Sequence, residues 1–377
     1  MTLRNIRAIT RKEFYHLTRD FQSMYLAFVL PLLLILLFGY ALSLDVDNVE
    51  TVVVDYDKTY LSRDFIRHLD ASPYFHVRAH LKDVKEATDY LDHGWTTLAL
   101  VINSGWTKDL RADRKAPLQI LLDGSDPSFA DITRGYINTF FERYNQKLLA
   151  DFLNRQGMEN IKMPVEGQFR VWFNENLESR NFIVPGIIAV IIMIVGAMLT
   201  SLVIAREYEN GTMETIRTLP ITAGEFLIGK AVPYFFVGLI DVLISIFMGQ
   251  LLFGVVIKSS FWLMIAASSI YLAVALALGL FISSVTKSQL LANQGAILIT
   301  YLPSLLLSNF VFPVVNMPKV LRLVTYIVPA TYYIDILNGL YLRNLGPDHL
   351  WPSFSVMIAM FAILATLNLL LLRKEGL

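Results

Sequence analysis

Long stretches without a single charge constrain this chain more than any other feature. Residues 21–44, 181–205, 259–286, 288–318 and 350–372 contain no Asp, Glu, Lys or Arg, and residues 231–257 contain one, Asp241. A helix needs about 20 apolar residues to cross the hydrocarbon core of a bilayer, where no water can satisfy a charge or an open backbone group. Composition agrees. Of 377 residues, 55% are hydrophobic and 17% charged, too greasy for soluble domains alone. The expected fold is an α-helical integral membrane protein with six transmembrane helices and one inserted extracytoplasmic α/β (α+β) domain.

Orientation follows from Lys and Arg in short connections. With the N-terminus inside, the inner side holds eleven: Arg4, Arg7, Arg11, Lys12, Arg19, Arg206, Arg217, Lys230, Lys287, Arg373 and Lys374. The short outer connections hold four, Lys258, Lys319, Arg322 and Arg343. Both termini are therefore expected in the cytoplasm. The basic start has no small-residue cleavage site after the first apolar run, so that run reads as an uncleaved anchor. Residues 1–20 read as an interfacial helix, with Leu3, Ile6, Thr10, Phe14, Leu17 and Phe21 on one stripe and basic residues elsewhere. Net charge is zero, so nothing points to nucleic acid, and the absence of cysteine excludes disulfides and thiolate metal sites.

Between spans one and two, residues 45–180 read as a water-soluble domain. "ETVVVDYD", "TTLALVI" and "PLQILLDG" have the β-branched, turn-bounded pattern of strands. "LSRDFIRHLD" reads as a helix with Ser62 near its start, and residues 129–156 as a long amphipathic helix. Residues 181–377 carry spans two to six. Within them, 314–349 is an extracytoplasmic segment. Its "LVTYIVPATYYI" is too short to span and is broken by Pro329, which suits a re-entrant or interfacial helix.

Residues 206–225 are a polar island between two spans. Six charges there (Arg206, Glu207, Glu209, Glu214, Arg217 and Glu225) would cost about 15–20 kcal/mol at the membrane centre, so the island sits in water. Asn210 can cap a helix over roughly 211–219, with Glu214 in its first turn and Met213, Ile216 and Leu219 on one apolar stripe ended by Pro220. That greasy face has no obvious intrachain cover and invites a partner groove or the lipid surface. Farther on, Gly224 to Lys230 matches G-x-x-x-x-G-K. The match is formal. Thr222 and Glu225 form a capping-box pattern that starts a helix before Gly224, no strand precedes it, and Ala231 stands where a magnesium-binding Ser or Thr is needed. Lys230 then marks the inner end of a span.

The chain resembles the permease subunits of ABC-2 type ATP-binding-cassette exporters, in the multidrug-efflux-like branch with a large extracytoplasmic domain. "REYENGTMETIRTLPITAGEFLIGK" carries the likeness most specifically. "VVVDYDKTYLS", "LLDGSDPSFA", "RVWFNENLESRNFIVPGI" and "FPVVNMPKVLRLVTYIVPATYY" extend it in order along nearly the whole chain. Asn174-Glu175 stands where the family often has Asn-Pro, and Asn309 where a glycine is common.

The resemblance implies a transport subunit without its own ATPase site in a bacterial inner membrane. It also implies a cytoplasmic ABC ATPase subunit that binds ATP and Mg, a second permease subunit (the same chain or a paralogue), and in some relatives a periplasmic membrane-fusion adaptor. No cofactor is expected on this chain. It further implies that 206–225 is a cytoplasmic coupling helix. The residues expected to meet the ATPase or fix the helix are Arg206, Glu207, Gly211, Thr212, Met213, Glu214, Ile216, Arg217, Leu219 and Pro220.

Asp241, the one acid within a span, is either a contact on the transport path or an inward residue bonded to a neighbouring helix. Gln250 and Gln294 invite the same two readings. His76 and His80 have a metal-compatible spacing but no obvious third ligand and read as a solvated pair. Asp45, Asp47, Asp55 and Asp57 do not follow a calcium-loop pattern and read as surface and turn residues. A secondary transporter would show inverted repeats, and none is visible. A transmembrane sensor would need a larger cytoplasmic output domain than the two short stretches here.

Overall fold

A computed structural model describes residues 3–41, 49–112, 114–125, 127–155 and 179–377. Asp45, Asp47 and the Asn174-Glu175 pair lie outside the described residues. The chain divides into two compact units, residues 1–43 with 171–377 and residues 44–170.

The first unit begins with helix α1 (Leu3–Arg19), which packs on a later long helix and buries Glu13 and Leu17. This shifts the expected stripe. Leu17 is covered, but Leu3, Phe14 and Phe21 stay exposed. The covered face instead includes Ile9, which lies against Gly229, and Glu13, whose ion pair is described below. The first apolar run is not one continuous α-helix. It reads as α2 (Phe21–Met24), a π-helical turn at Tyr25–Val29, and α3 (Leu30–Ala41) with Pro31 in its first turn. A proline removes one backbone donor, and the wide turn before it accommodates the mismatch.

The second unit is built on strands β1 (Val49–Asp55), β2 (Phe75–Leu81), β3 (Leu98–Ile102) and β4 (Leu118–Leu122). Their order is β2-β1-β3-β4; β1 runs parallel to β2 and β3, and β4 runs antiparallel to β3. The helices are α4 (Tyr60–Asp70), α5 (Val84–Asp92), α6 (Trp106–Arg111) and α7 (Pro127–Arg155). Central β3 is buried along its whole length, as its unbroken apolar run requires. On one sheet face Phe65 of α4 meets the rings of Trp106, Phe140, Phe141 and Tyr144. On the other, Val52, Val54, Ala99 and Val101 pack with Ala87 of α5.

Ser62 sits three residues into a capping box opened by Thr59. Asp55 accepts from the Ser62 hydroxyl (2.7 Å), and Asp57 from the Gly105 amide (2.9 Å) and Thr107, so these acids tie turns together. Burial works to raise the Asp57 pKa. Bonds from the Thr107 and Thr59 hydroxyls and the Thr107 and Gly105 amides outweigh it and hold the carboxyl below its ordinary value. His76 and His80 lie exposed on β2, and no cluster of three metal-ligating side chains occurs among the described residues.

The first unit resumes with α8 (Arg180–Glu209), α9 (Thr212–Arg217), α10 (Ala223–Phe253) and α11 (Phe261–Thr286). It ends with α12 (Gln289–Ala296), α13 (Leu302–Leu306), α14 (Lys319–Thr325), α15 (Pro329–Asn338) and α16 (Pro347–Lys374). α8 is the buried axis: every residue from Ile183 to Ala205 is covered. A helix apolar on all sides belongs inside a bundle, and packing there overrides the weak helix preference of its many Ile and Val residues.

Small residues let helices approach and hydroxyls bridge them. Thr200 donates to the Leu276 carbonyl (3.0 Å), and the Ser283 hydroxyl accepts from the Ile204 and Ala205 amides (3.0 and 2.8 Å). Tyr271 donates to the Ala189 carbonyl (3.0 Å) and stacks on Tyr333 at 4.1 Å.

Among the described residues four helices, α8, α10, α11 and α16, are long and apolar enough to cross a membrane, or five if the pair Lys319–Thr325 and Pro329–Arg343, bent by 78°, is one span. The run 288–318 is broken like the first. α12 passes into a π-helical turn at Ile297–Tyr301, and α13 follows with Pro303 near its start. The break at Pro329 falls where the apolar stretch of 314–349 was expected to be interrupted.

A Cβ added at Gly279 would collide with Thr200 Oγ1 and the Ala197 carbonyl of α8. Gly279→Val should therefore force α8 and α11 apart and destabilise the unit by about 1–3 kcal/mol. Gly295→Ala, whose Cβ would meet only Ile282 at 3.4 Å, should be tolerated. Thermal unfolding of the two variants in detergent checks the contrast.

Candidate functional site

The polar island folds as helix end, short helix and turn. Asn210 keeps helical dihedrals (φ −81°, ψ −2°), and its amide donates to the Arg206 and Tyr208 carbonyls. It closes α8 instead of opening the next helix, which corrects the expected cap. Gly211 takes that place at φ +69°, in the left-handed region where glycine carries no Cβ penalty. α9 spans Thr212–Arg217, shorter than expected, so Leu219 and Pro220 lie in the turn beyond it. The capping box is present in both halves. The Glu225 amide donates to Thr222 Oγ1 (3.3 Å), and the Thr222 amide donates to the Glu225 carboxylate (3.1 Å). Residues 224–230 are thus the first turns of α10, not a phosphate loop.

Behind the N-terminal end of α9 lies a cluster of charges. Lys230 is 2% exposed. Its Nζ lies 2.7 Å from Glu13 of α1 and 2.5 Å from Glu207 of α8. Lys12 reaches Glu207 at 2.8 Å, and the Thr212 hydroxyl donates to the other Glu207 oxygen. Arg206 pairs with Asp20 at 2.9 Å. Asn5 of α1 donates to the Pro220 carbonyl (3.3 Å) and to Glu225 (3.2 Å). One network therefore binds α1, the end of α8, the start of α9 and the start of α10.

The apolar face of α9 needs no outside cover. Met213 is 1% and Ile216 9% exposed, and both join the main apolar core of their own unit. This overturns the expectation that Met213, Ile216 and Leu219 wait together for a partner. Only Leu219, 51% exposed, remains open. The open side of α9 and of the turn after it carries Glu214, Thr215, Thr218 and Leu219; Thr212 and Arg217 are exposed as well, but their polar ends reach back to Glu207 and towards Glu375. Arg217 turns its guanidinium inward. Its Nη2 lies 3.6 Å from Glu375 and donates to the Tyr208 hydroxyl (3.4 Å).

Glu13, Asn5 and Glu375 were not singled out from the sequence, Lys12 was read only as one of the inner-side charges, and Lys230 was read as a membrane-edge lysine. A signal existed. Glu13 falls at helical spacing from Ile9 and Leu17 on the covered face of α1, where an unpaired acid would not be tolerated.

Asp241 is 2% exposed, and its Oδ1 has no hydrogen-bond partner, as is true of Ser245 Oγ one turn on. It shares a helix face with Gly238, which abuts Leu272 of α11, and Gly249, which abuts Val184 of α8. The structure so places it in the packed interior without the bond to a neighbouring helix that one reading expected.

Removing one member of a buried ion cluster leaves the others uncompensated. Lys230→Met would strand Glu13 and Glu207 together and should lower stability by about 3–5 kcal/mol. Lys12→Met, which removes a half-exposed partner, should cost far less. Unfolding midpoints of the two purified variants decide this.

The chain matches the model of the ABC-2 family transporter protein family over residues 22–370. It is 34% identical to "Probable multidrug ABC transporter permease YbhS" of Escherichia coli (strain K12), over 95% of this chain and 94% of that one. It is 30% identical to "Probable multidrug ABC transporter permease YbhR" of the same organism, over 97% and 98%. A third relative there, "Inner membrane transport permease YhhJ", is 26% identical over 85% and 84%. With a family match across nearly its whole length and relatives of like length, the chain belongs to the ABC-2 family, as a membrane permease subunit of an ABC exporter whose ATPase is a separate subunit.

Proposed function

We propose that this permease moves drugs or other amphipathic compounds out of the cytoplasm or inner leaflet, driven through α9 by the separate ATPase. The naming of YbhS and YbhR as multidrug permeases supports the substrate class. A second permease subunit completes the path, and ATP and Mg bind the ATPase. The chain lies in a bacterial inner membrane with both termini cytoplasmic, as the Lys and Arg asymmetry favours. Six spans are completed by the two broken apolar runs, 314–349 is re-entrant or interfacial, and 45–180 stands outside the cytoplasm, where a membrane-fusion adaptor can dock.

The observation that carries this reading is the build of α9. Its back is fixed by Glu207 through Thr212, by Met213 and Ile216 in the core, and by Arg217. Its front offers Glu214, Thr215, Thr218 and Leu219. A partner whose two states grip that front with different affinity can shift α8 and α10 as one piece. Asp241 is the further candidate on the path. Buried at the α8 and α11 face of α10 with an unpartnered oxygen, it meets substrate only when those helices part.

Leu219→Asp and Glu214→Lys should each weaken capture of a co-expressed ABC ATPase subunit by about tenfold or more, since an altered contact of this kind costs roughly 1–3 kcal/mol. The unfolding midpoint of the permease alone should stay put. Unchanged capture and unchanged permease-dependent ATP hydrolysis in both variants would overturn the reading. For Asp241→Asn the expected outcome is ATPase capture as before with ATP-driven dye efflux from vesicles reduced; undiminished efflux removes Asp241 from the path.

A further inference from the structure

We propose that Glu375 is a positioning residue for energy coupling. With Arg217 and Lys287 it forms a clasp that carries movement of α9 to α11, α12 and α16. The proposal rests on the reading of α9 as the element the ATPase moves, and it goes beyond that reading by naming a second route of transmission.

By chain connection alone, α9 acts on α8 and α10. The cluster around Lys230 adds α1. α11 is reached indirectly as well, through its packing on α8, and α16 through α11; the other end of α9 adds a direct tie to both. Arg217 is the last residue of α9. Its guanidinium lies 5.8 Å from the Tyr208 ring centroid, and its Nη2 lies 3.6 Å from Glu375 Oε2. The other Glu375 oxygen lies 2.5 Å from Lys287 Nζ, and that ammonium lies 4.9 Å from the same Tyr208 ring. Two cations thus approach one ring and share one carboxylate. Glu375 belongs mechanically to α16, because its amide donates to the Leu371 and Leu372 carbonyls (3.2 and 3.1 Å).

Lys287 stands at the joint between α11 and α12, at φ +54°, where the backbone favours glycine or asparagine. A lysine at such a place is explained by what its side chain reaches. A second tie joins the same elements: Glu209 of α8 accepts from the Gln289 amide (2.8 Å) and the Gln289 side chain (2.5 Å), at the first residue of α12. The Glu375 side chain is only 17% exposed, so solvent screens it less than an ordinary surface pair.

The chain has no cysteine, so one introduced cysteine is the single thiol on the permease, and its labelling is read on the permease band. Trp262 is 79% exposed at the end of α11 opposite Lys287. The test places Trp262→Cys in the permease–ATPase complex in lipid vesicles and measures its rate of modification by a maleimide, without nucleotide and with ATP trapped by vanadate. The rate should change by about fivefold or more in the otherwise unaltered complex, the lower range of a coupled conformational response. Because α11 is also bonded to α8, Glu375→Gln should reduce that change by at least half without removing it, while ATPase capture, ATP hydrolysis and the unfolding midpoint stay unaltered. Glu375→Lys combined with Lys287→Glu should restore part of it.

Glu375→Gln retaining the full response overturns the clasp. So does losing the response only together with ATPase capture or stability, or an unaltered complex that shows no response at Trp262→Cys, since then no movement reaches α11. Leu219→Asp and Glu214→Lys separate the two ideas. If they abolish capture while Glu375→Gln changes nothing, the clasp alone falls. If they leave capture intact, the coupling reading falls.

Discussion

A single ammonium held between two carboxylates organises one end of this helical unit. Lys230, Glu13 and Glu207 come from three helices, and none could be buried without the others. Desolvating charges costs several kcal/mol per ion, and their mutual attraction roughly offsets it at best. The cluster is therefore weak evidence for stability and stronger evidence for geometry. It is satisfied in one arrangement of α1, α8 and α10, and Thr212 makes the start of α9 part of that arrangement. Sliding any of the four elements by a fraction of a helical turn would leave a buried charge unpaired.

The rest of the unit is packed so that it can give only in large pieces. α8 is covered on all sides, and small residues bring α11 close enough for Thr200 and Ser283 to bond across the interface. Interiors packed to this density do not deform continuously; they shift as bodies or stay in place. The breaks lie elsewhere, in the π-helical turns at Tyr25–Val29 and Ile297–Tyr301, each with a proline shortly after. A firm centre with breaks in the first apolar run and in 288–318 fits the proposed coupling, in which a push at one end would become a change at the other.

How much of this was legible in the sequence depends on the range of the interaction concerned. Four long helices follow from the absence of charge, which is local and read directly. The breaks in the other two runs do not. Pro31 and Pro303 were visible, but the wide turns before them are set by packing. In the second unit, β1, β3 and β4 announce themselves by apolar runs. β2, "FHVRAHL", was missed as a strand because exposed His and Arg interrupt it where β1, β3 and β4 have apolar runs. The Thr222–Glu225 capping box was legible because both partners lie within one turn. The cover over Met213 and Ile216 was not, because a helical period shows that a face is apolar and not what lies against it.

The same distinction bears on how α9 would meet the ATPase in the proposed coupling. An apolar face open to water would favour a permanent, core-like contact, and such contacts do not release each cycle. Here the apolar face is turned inward, and the outer face is polar around one exposed leucine, the composition of a non-obligate interface. A contact of that kind would derive less from buried area and more from register, which Glu214 and the threonines would set. In the proposed coupling, the firmness that a lever needs would come from the covered side of α9, and the reversibility that a cycle needs from its open side. Both follow from which way six residues face.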